Sequence, residues 1–347
     1  MELILDKNFL KNFSLALSSI EKVLFDDFGK FLRKIRGVKI ITNYSYQEFE
    51  DEVRKSKTPF LESLLTYTNP EIKFDSELDF FSDSGGNSGR DPFCLFFIET
   101  DNTDELSGFY GYEYISSKNF NLKWKIYCND REDLTMKVTT DPELNKEIRF
   151  DNWNKLKNFS HPINAIIIFD LYVFGNESNQ KIEDNLYPLL ENLIPKIPAN
   201  GKIDIMIITG FNKNVNRIEE RHRALEVCLE KKFGKNMFHL SLIEYDKAYK
   251  PDNSPSLNFR RIYTNYFMIK SDKSYTYFNP RGKINENTDI VFNFVFYQNM
   301  PGFVKNELRD ISEYLRRLEN SEDQGYVKAR TRFFPDKKNR LLDKVAE

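Results

Sequence analysis

Between Asn164 and Phe278, short apolar runs alternate with amphipathic helical patterns: Asn164–Asp170 (NAIIIFD), Ile182–Ile194, Ile203–Thr209 (IDIMIIT), Asn216–Phe233 and Phe238–Glu244 (FHLSLIE). This β-α-β-α-β order predicts parallel strands with crossover helices, making Ala165–Asp170, Ile203–Thr209 and His239–Glu244 parallel neighbours. Arg261–Ile269 and Ser274–Phe278 then read as two strands joined by the polar turn Lys270–Lys273, the first antiparallel to one of the three. A mixed sheet is expected.

Upstream, Phe13, Leu17, Ile20, Leu24, Phe28, Phe31 and Ile35 form a helical stripe within Phe9–Ile35, with Gly37 placed as a stop, and predict one long helix. Ser45–Glu48 fits a capping box opening a second helix, and Thr58-Pro59 a third. From Glu71 the period becomes two. Phe93–Ile98, Phe109–Ile115, Leu122–Cys128 and Leu134–Val138 are expected to make a small antiparallel sheet, their links being too short for crossovers. The glycine-rich stretch Ser82–Arg90 lacks a Lys-Ser/Thr ending and reads as a flexible loop.

Ile290–Tyr297 is another strand candidate. Past Pro301-Gly302, Val304, Leu308, Ile311, Leu315 and Leu318 share one face of an amphipathic helix. That face packs on its own domain or receives a protein partner. The tail from Lys328 to Glu347 holds seven Lys/Arg against three Asp/Glu, a local charge of +4, and is expected to contribute electrostatically or to be a solvated surface tail. The fold class is therefore α/β (α+β overall). Residues 1–160 form a helical region with a small antiparallel sheet, residues 161–300 a mixed-sheet domain, and residues 301–347 the helix and tail.

Length supports about two domains, and 31 Phe and 18 Tyr among 347 residues supply a core. A formal charge of −2 gives no global field toward nucleic acid or membrane, so such a partner must be met by a local patch. Three scattered cysteines disfavour a disulfide framework or structural zinc and suggest a reducing cytoplasm. Met1–Lys7 is too short and acidic for a signal peptide, and no apolar run reaches the ~18 residues of a span, so a soluble protein without a membrane partner is expected.

The central stretch resembles the phospholipase D-like superfamily, specifically degenerate members, over about a third of the chain. The matching residues are Asp170–Phe174, Asn185-Leu186 with Leu189-Leu190, Ile207–Thr209, and Arg261–Asn265 leading to Tyr277-Phe278. Where the family carries His-x-Lys or His-Asp-Arg, this chain reads Asn258-Phe259-Arg260-Arg261. The resemblance implies a fold whose phosphohistidine chemistry is missing, because none of His161, His222 and His239 has lysine two residues later. His222 is expected on a solvated helix face and His239 at a strand edge.

No catalytic residue is assigned. The candidate ligand-binding residues are Arg260, Arg261, Thr209, Asp170 and Asn265. An arginine standing where relatives keep a basic group suits bidentate phosphate contact; alternatively one arginine pairs with Asp170 internally. The function expected is non-enzymatic binding of nucleic acid, a nucleotide or another phosphate-bearing ligand, with no cofactor. Two alternatives stay open: a Mg²⁺-dependent phosphodiesterase or nuclease using Asp170 and Glu244, and a structural subunit of a larger complex.

Overall fold

A computed structural model describes residues 1–15, 20–56, 62, 71–80, 90–129, 134–174, 181–195, 198–211, 217–246, 260–323 and 331–343. The chain forms two compact units, residues 1–132 with 293–304 and residues 133–292 with 305–347. The break expected between Asn152 and Pro162 falls inside the second unit. The α/β class stands, with two sheets.

Among the described residues the first unit is built on five parallel strands, β1 (Glu2–Leu5), β2 (Lys39–Thr42), β3 (Glu71–Phe74), β4 (Cys94–Phe97) and β5 (Glu113–Ile115), in the order β3-β2-β1-β4-β5. The antiparallel sheet expected here is therefore corrected. Helix α1 (Lys7–Leu15) and α2 (Lys22–Lys34) carry the β1–β2 crossover, so the long apolar stripe serves two helices. Helix α3 (Tyr46–Ser56) opens on the predicted box: the Glu48 amide donates to Ser45 Oγ at 3.2 Å, and the Ser45 amide to Glu48 Oε2 at 2.8 Å. Helix α4 (Thr103–Tyr110) fits between β4 and β5 as a crossover, so the short link between these strands suffices for parallel pairing.

Leu122–Cys128, expected as a strand, lies in helix α5 (Phe120–Asn129). Its buried residues are Phe120, Trp124 and Tyr127, spaced four and three apart, whereas Leu122 is 75% exposed. The period-two pattern was thus coincidental to a helical face. The third expected helix and the Ser82–Arg90 loop fall almost wholly outside the described residues.

Among the described residues the second unit carries nine strands in the order β14-β10-β9-β8-β11-β12-β13-β6-β7. They are β6 (Leu134–Val138), β7 (Arg149–Phe150), β8 (Ala165–Phe169), β9 (Ile203–Phe211), β10 (Phe238–Asp246), β11 (Arg261–Thr264), β12 (Phe267–Ser271), β13 (Thr288–Phe294) and β14 (Thr331–Phe334). As predicted, β8, β9 and β10 are parallel neighbours, and β11 runs antiparallel to β8. Every residue of β8 is buried, which is why it reads as an unbroken apolar run. The hairpin turn lies earlier than expected, at Asn265-Tyr266, where Thr264 Oγ1 accepts from the amides of Tyr266 at 3.2 Å and Phe267 at 2.9 Å. Arg261–Ile269 is consequently two strands, and Ser274–Phe278 contributes an isolated bridge rather than a strand.

Helix α6 (Tyr187–Leu193), continuing a π-helical turn at Ile182–Leu186, links β8 to β9, and α7 (Ile218–Phe233) links β9 to β10. Val304, Leu308, Ile311 and Leu315 of α8 (Met300–Asp323) are all buried within the protein, so four of the five residues of the proposed partner face are already covered; the Leu318 side chain lies outside the described set. The tail is likewise part of the fold. Strand β14 pairs antiparallel with β10. Ahead of helix α9 (Arg340–Asp343), Asn339 Nδ2 donates to the carbonyls of Ile166 and Asp204, both at 3.2 Å. Arg340 Nε meets Asp204 at 2.8 Å, and Leu341 and Leu342 are buried. This segment is anchored by specific contacts and not merely by charge; Lys328, Arg330 and Lys344 lie outside the described residues.

Candidate functional site

Parallel register sets Phe169 beside Ile208 and Thr209 beside Glu244, so Asp170, just past β8, lies in one row with Thr209 and Glu244, each two residues before the end of its strand. All three are buried. Glu244 Oε1 pairs with Arg221 of α7, whose guanidinium lies 5.2 Å from the Phe174 ring centroid. Glu244 Oε2 and Thr209 Oγ1 are buried with no hydrogen-bond partner. Both α6 and α7 follow the same winding direction from β8 through β10. The row therefore lacks the reversal of strand order that opens a ligand crevice in doubly wound sheets.

Asp170 organises the turns above β8. Its Oδ1 accepts from the Tyr172 amide at 3.0 Å, and its Oδ2 from Ser274 Oγ at 2.6 Å and the Tyr275 amide at 2.8 Å. Burial pushes its pKa up, and these three hydrogen bonds with the charge of Arg260 only partly offset that. No described arginine is hydrogen-bonded to it; a hydroxyl and two amides meet the carboxylate instead.

The two arginines have different fates. Arg261, opposite Phe169 in the β8–β11 ladder, is buried and pairs with Glu307 of α8, to which Tyr263 Oη also donates at 2.9 Å. It is an internal ion pair, with Glu307 in the place proposed for Asp170. Arg260 sits just before β11 with φ of 74°, left-handed backbone that a residue with a long side chain rarely adopts. Three contacts hold it there: its amide donates to Phe169 O at 2.6 Å, and its carbonyl accepts from the Ser271 amide at 3.2 Å and Tyr275 Oη at 3.1 Å. Its Nη1 donates to the Asp272 carbonyl, and its Nε is buried without a partner.

Asn265 belongs elsewhere. Its Oδ1 accepts from the amides of Asn164 at 3.0 Å and Ala165 at 3.3 Å, and its Nδ2 donates to Asn164 Oδ1 at 2.9 Å. It closes the start of β8, roughly 17 Å along that strand from Asp170, and does not share a site with Arg260. The sequence places it next to the arginines, but an antiparallel strand carries it to the opposite end.

The histidines are engaged separately. His222 is buried, contrary to the solvated face expected, with Nε2 3.0 Å from Leu240 O. Strand β10 is flanked by β14, and His239 Nε2 contacts Asp336 Oδ1 at 2.8 Å and Ser241 Oγ at 3.2 Å. His161 is buried beside Tyr266 and Phe267. Ser241, His239 and Asp336 are not arranged as a nucleophilic triad, since both partners meet the same ring nitrogen.

Sequence reading also missed a true reversal of winding, between β1 and β4 of the first unit. Asp6 follows β1 there, accepting from Asn43 Nδ2 at 3.0 Å and the amides of Glu99 at 3.2 Å and Phe9 at 3.3 Å. The signal was the short apolar run Leu3–Leu5 ending in aspartate. Among the described residues no group of three or more His, Cys, Asp or Glu is placed to hold a metal ion, and no helix is long and apolar enough to cross a membrane.

No protein-family model and no curated protein matches the chain significantly. Among solved structures it is similar to a phosphatidylserine synthase of Haemophilus influenzae Rd KW20, a phospholipase D-like protein. The identity is 10%, the TM-score is 0.31, and 84% of each chain is covered. At that TM-score the likeness carries no argument about chemistry.

Proposed function

We propose that the second unit is a binding module for a phosphate-bearing ligand, nucleic acid or nucleotide, which Arg260 meets beside the carboxyl end of β8 without hydrolysing it. The observation carrying this reading is Arg260 itself. A guanidinium is presented from backbone held in a costly conformation, while one of its nitrogens has no partner. Strain of that kind persists where surrounding contacts impose it and concentrates at ligand sites. A planar fork suits phosphate better than a single carbonyl does. Thr209 adds a buried hydroxyl without a partner, and Asp170 fixes the turn through Ser274 and Tyr275 rather than contacting ligand. Arg261 and Asn265, both consumed internally, are left out of the contact set. Binding without turnover is supported by the three separately engaged histidines.

The test is titration of the intact protein with a labelled single-stranded oligonucleotide across salt concentrations. Arg260→Ala should weaken binding about tenfold or more and reduce the salt slope by about 1, while Arg261→Ala should act on stability. Equal affinities for wild type and Arg260→Ala would reject the proposal.

A further inference from the structure

A cavity of about 430 Å³ opens within the second unit where the ends of β6 and β13 meet the turn after β12. Arg260 adjoins one of the lining residues, its guanidinium donating to the Asp272 carbonyl. The lining is of mixed sign. Lys137 and Asp289 are cross-strand neighbours, and neither is ion-paired with a described residue at this distance scale. Among the described residues the Lys273 ammonium forms a half-exposed pair with Glu286 at 3.1 Å, which contributes little. Thr288 Oγ1 is buried without a hydrogen-bond partner, and Asn287 adds an amide.

Opposite charges side by side exclude ligands that are anionic throughout, since Asp141, Asp272 and Asp289 would repel them. They exclude cationic ligands through Lys137 and Lys273. What they accommodate is a molecule that carries a phosphate and hydroxyl donors close together. Ammonium groups and the Thr288 hydroxyl suit phosphate oxygens, and a carboxylate accepts paired hydrogen bonds from a vicinal diol, as acidic residues do for ribose in dinucleotide sites. The volume falls in the range of small-molecule sites and not of a groove tracking a polymer.

We infer that this cavity seats a single phosphorylated sugar or nucleotide, with phosphate toward Lys137 and Lys273 and the sugar hydroxyls toward Asp289. This rests on the reading that Arg260 serves a phosphate-bearing ligand, and it narrows that ligand from polymer to monomer.

Calorimetric titration of the intact chain with ribose 5-phosphate, adenosine monophosphate, inorganic phosphate, ribose and a single-stranded oligonucleotide tests it. The expected result is saturable one-to-one binding of the two phosphorylated sugars. Inorganic phosphate and ribose should each bind at least tenfold more weakly. Lys137→Ala should weaken all phosphate probes, whereas Asp289→Asn should weaken the phosphorylated sugars while sparing inorganic phosphate. Thr288→Val, nearly isosteric, guards against loss through misfolding and should also weaken the phosphorylated sugars. Binding of the oligonucleotide without either phosphorylated sugar would overturn this inference and leave the broader reading standing. Absence of binding by every phosphate probe would overturn both, and unchanged affinity in all three variants would place the ligand outside the cavity.

Discussion

Replacing Arg260 by glycine separates what its backbone costs from what its side chain does. At φ of 74° a Cβ is strained by about 1–2 kcal/mol, which glycine avoids. Glycine also frees the unfolded chain, costing about 0.5–1 kcal/mol. Arg260→Ala keeps the strain. Both variants lose the Nη1 bond to the Asp272 carbonyl, worth about 0.5–1.5 kcal/mol. The glycine variant should therefore be more stable than the alanine variant by about 0.5–1 kcal/mol in urea unfolding, although neither retains the guanidinium. Both should weaken a phosphate ligand by about 1.5–3 kcal/mol, the range for a hydrogen bond to a charged group. A glycine variant less stable than the alanine variant would refute the strained backbone, and undiminished binding in both would refute the contact.

Arg261→Ala leaves the half-buried Glu307 carboxylate with only the Tyr263 hydroxyl among the contacts described above and should cost about 1–3 kcal/mol in unfolding experiments, with the melting temperature lowered and no separate binding defect. His222→Ala removes a buried ring from between α7 and β10 and should lower the melting temperature without abolishing any measured activity. Asp336 supplies a pH dependence. Burial acts to raise its pKa but is outweighed by the Lys338 amide, His239 and Ser241, leaving it lowered. Its contribution is thus present above the unfolded carboxylate pKa of about 4 and is lost as pH falls through the lower folded value. Hydrogen exchange in β14 should accelerate on that acid limb, and Asp336→Asn should flatten the dependence. Deleting residues 326–347 should destabilise the second unit by exposing the edge of β10, measurable as a lower urea midpoint.

The parallel core of the second unit was legible because β8 is wholly apolar and β9 and β10 are nine residues long, with helical patterns between them. The first unit was not. Strands β1 and β2 have four residues each, too short to stand out beside the helices, and α5 mimics alternation through an exposed Leu122. Within the site, the resemblance drew attention to Arg260, Arg261, Thr209 and Asp170, and all four gather near the carboxyl end of β8. Their roles depend on partners remote in sequence: Glu307 is 46 positions from Arg261, and Ser274 is 104 from Asp170. Such pairings have no local signature. Neither does the left-handed turn at Arg260, since composition announces that conformation only when the residue is glycine or asparagine.

The most direct test of the central claim is nuclear magnetic resonance of arginine Nε–H signals during addition of adenosine monophosphate, with Arg260 and Arg261 assigned by Arg→Lys variants. The account predicts a saturating shift of the Arg260 signal while Arg261, locked to Glu307, stays in place. A ligand that binds and leaves the Arg260 signal unmoved would contradict it.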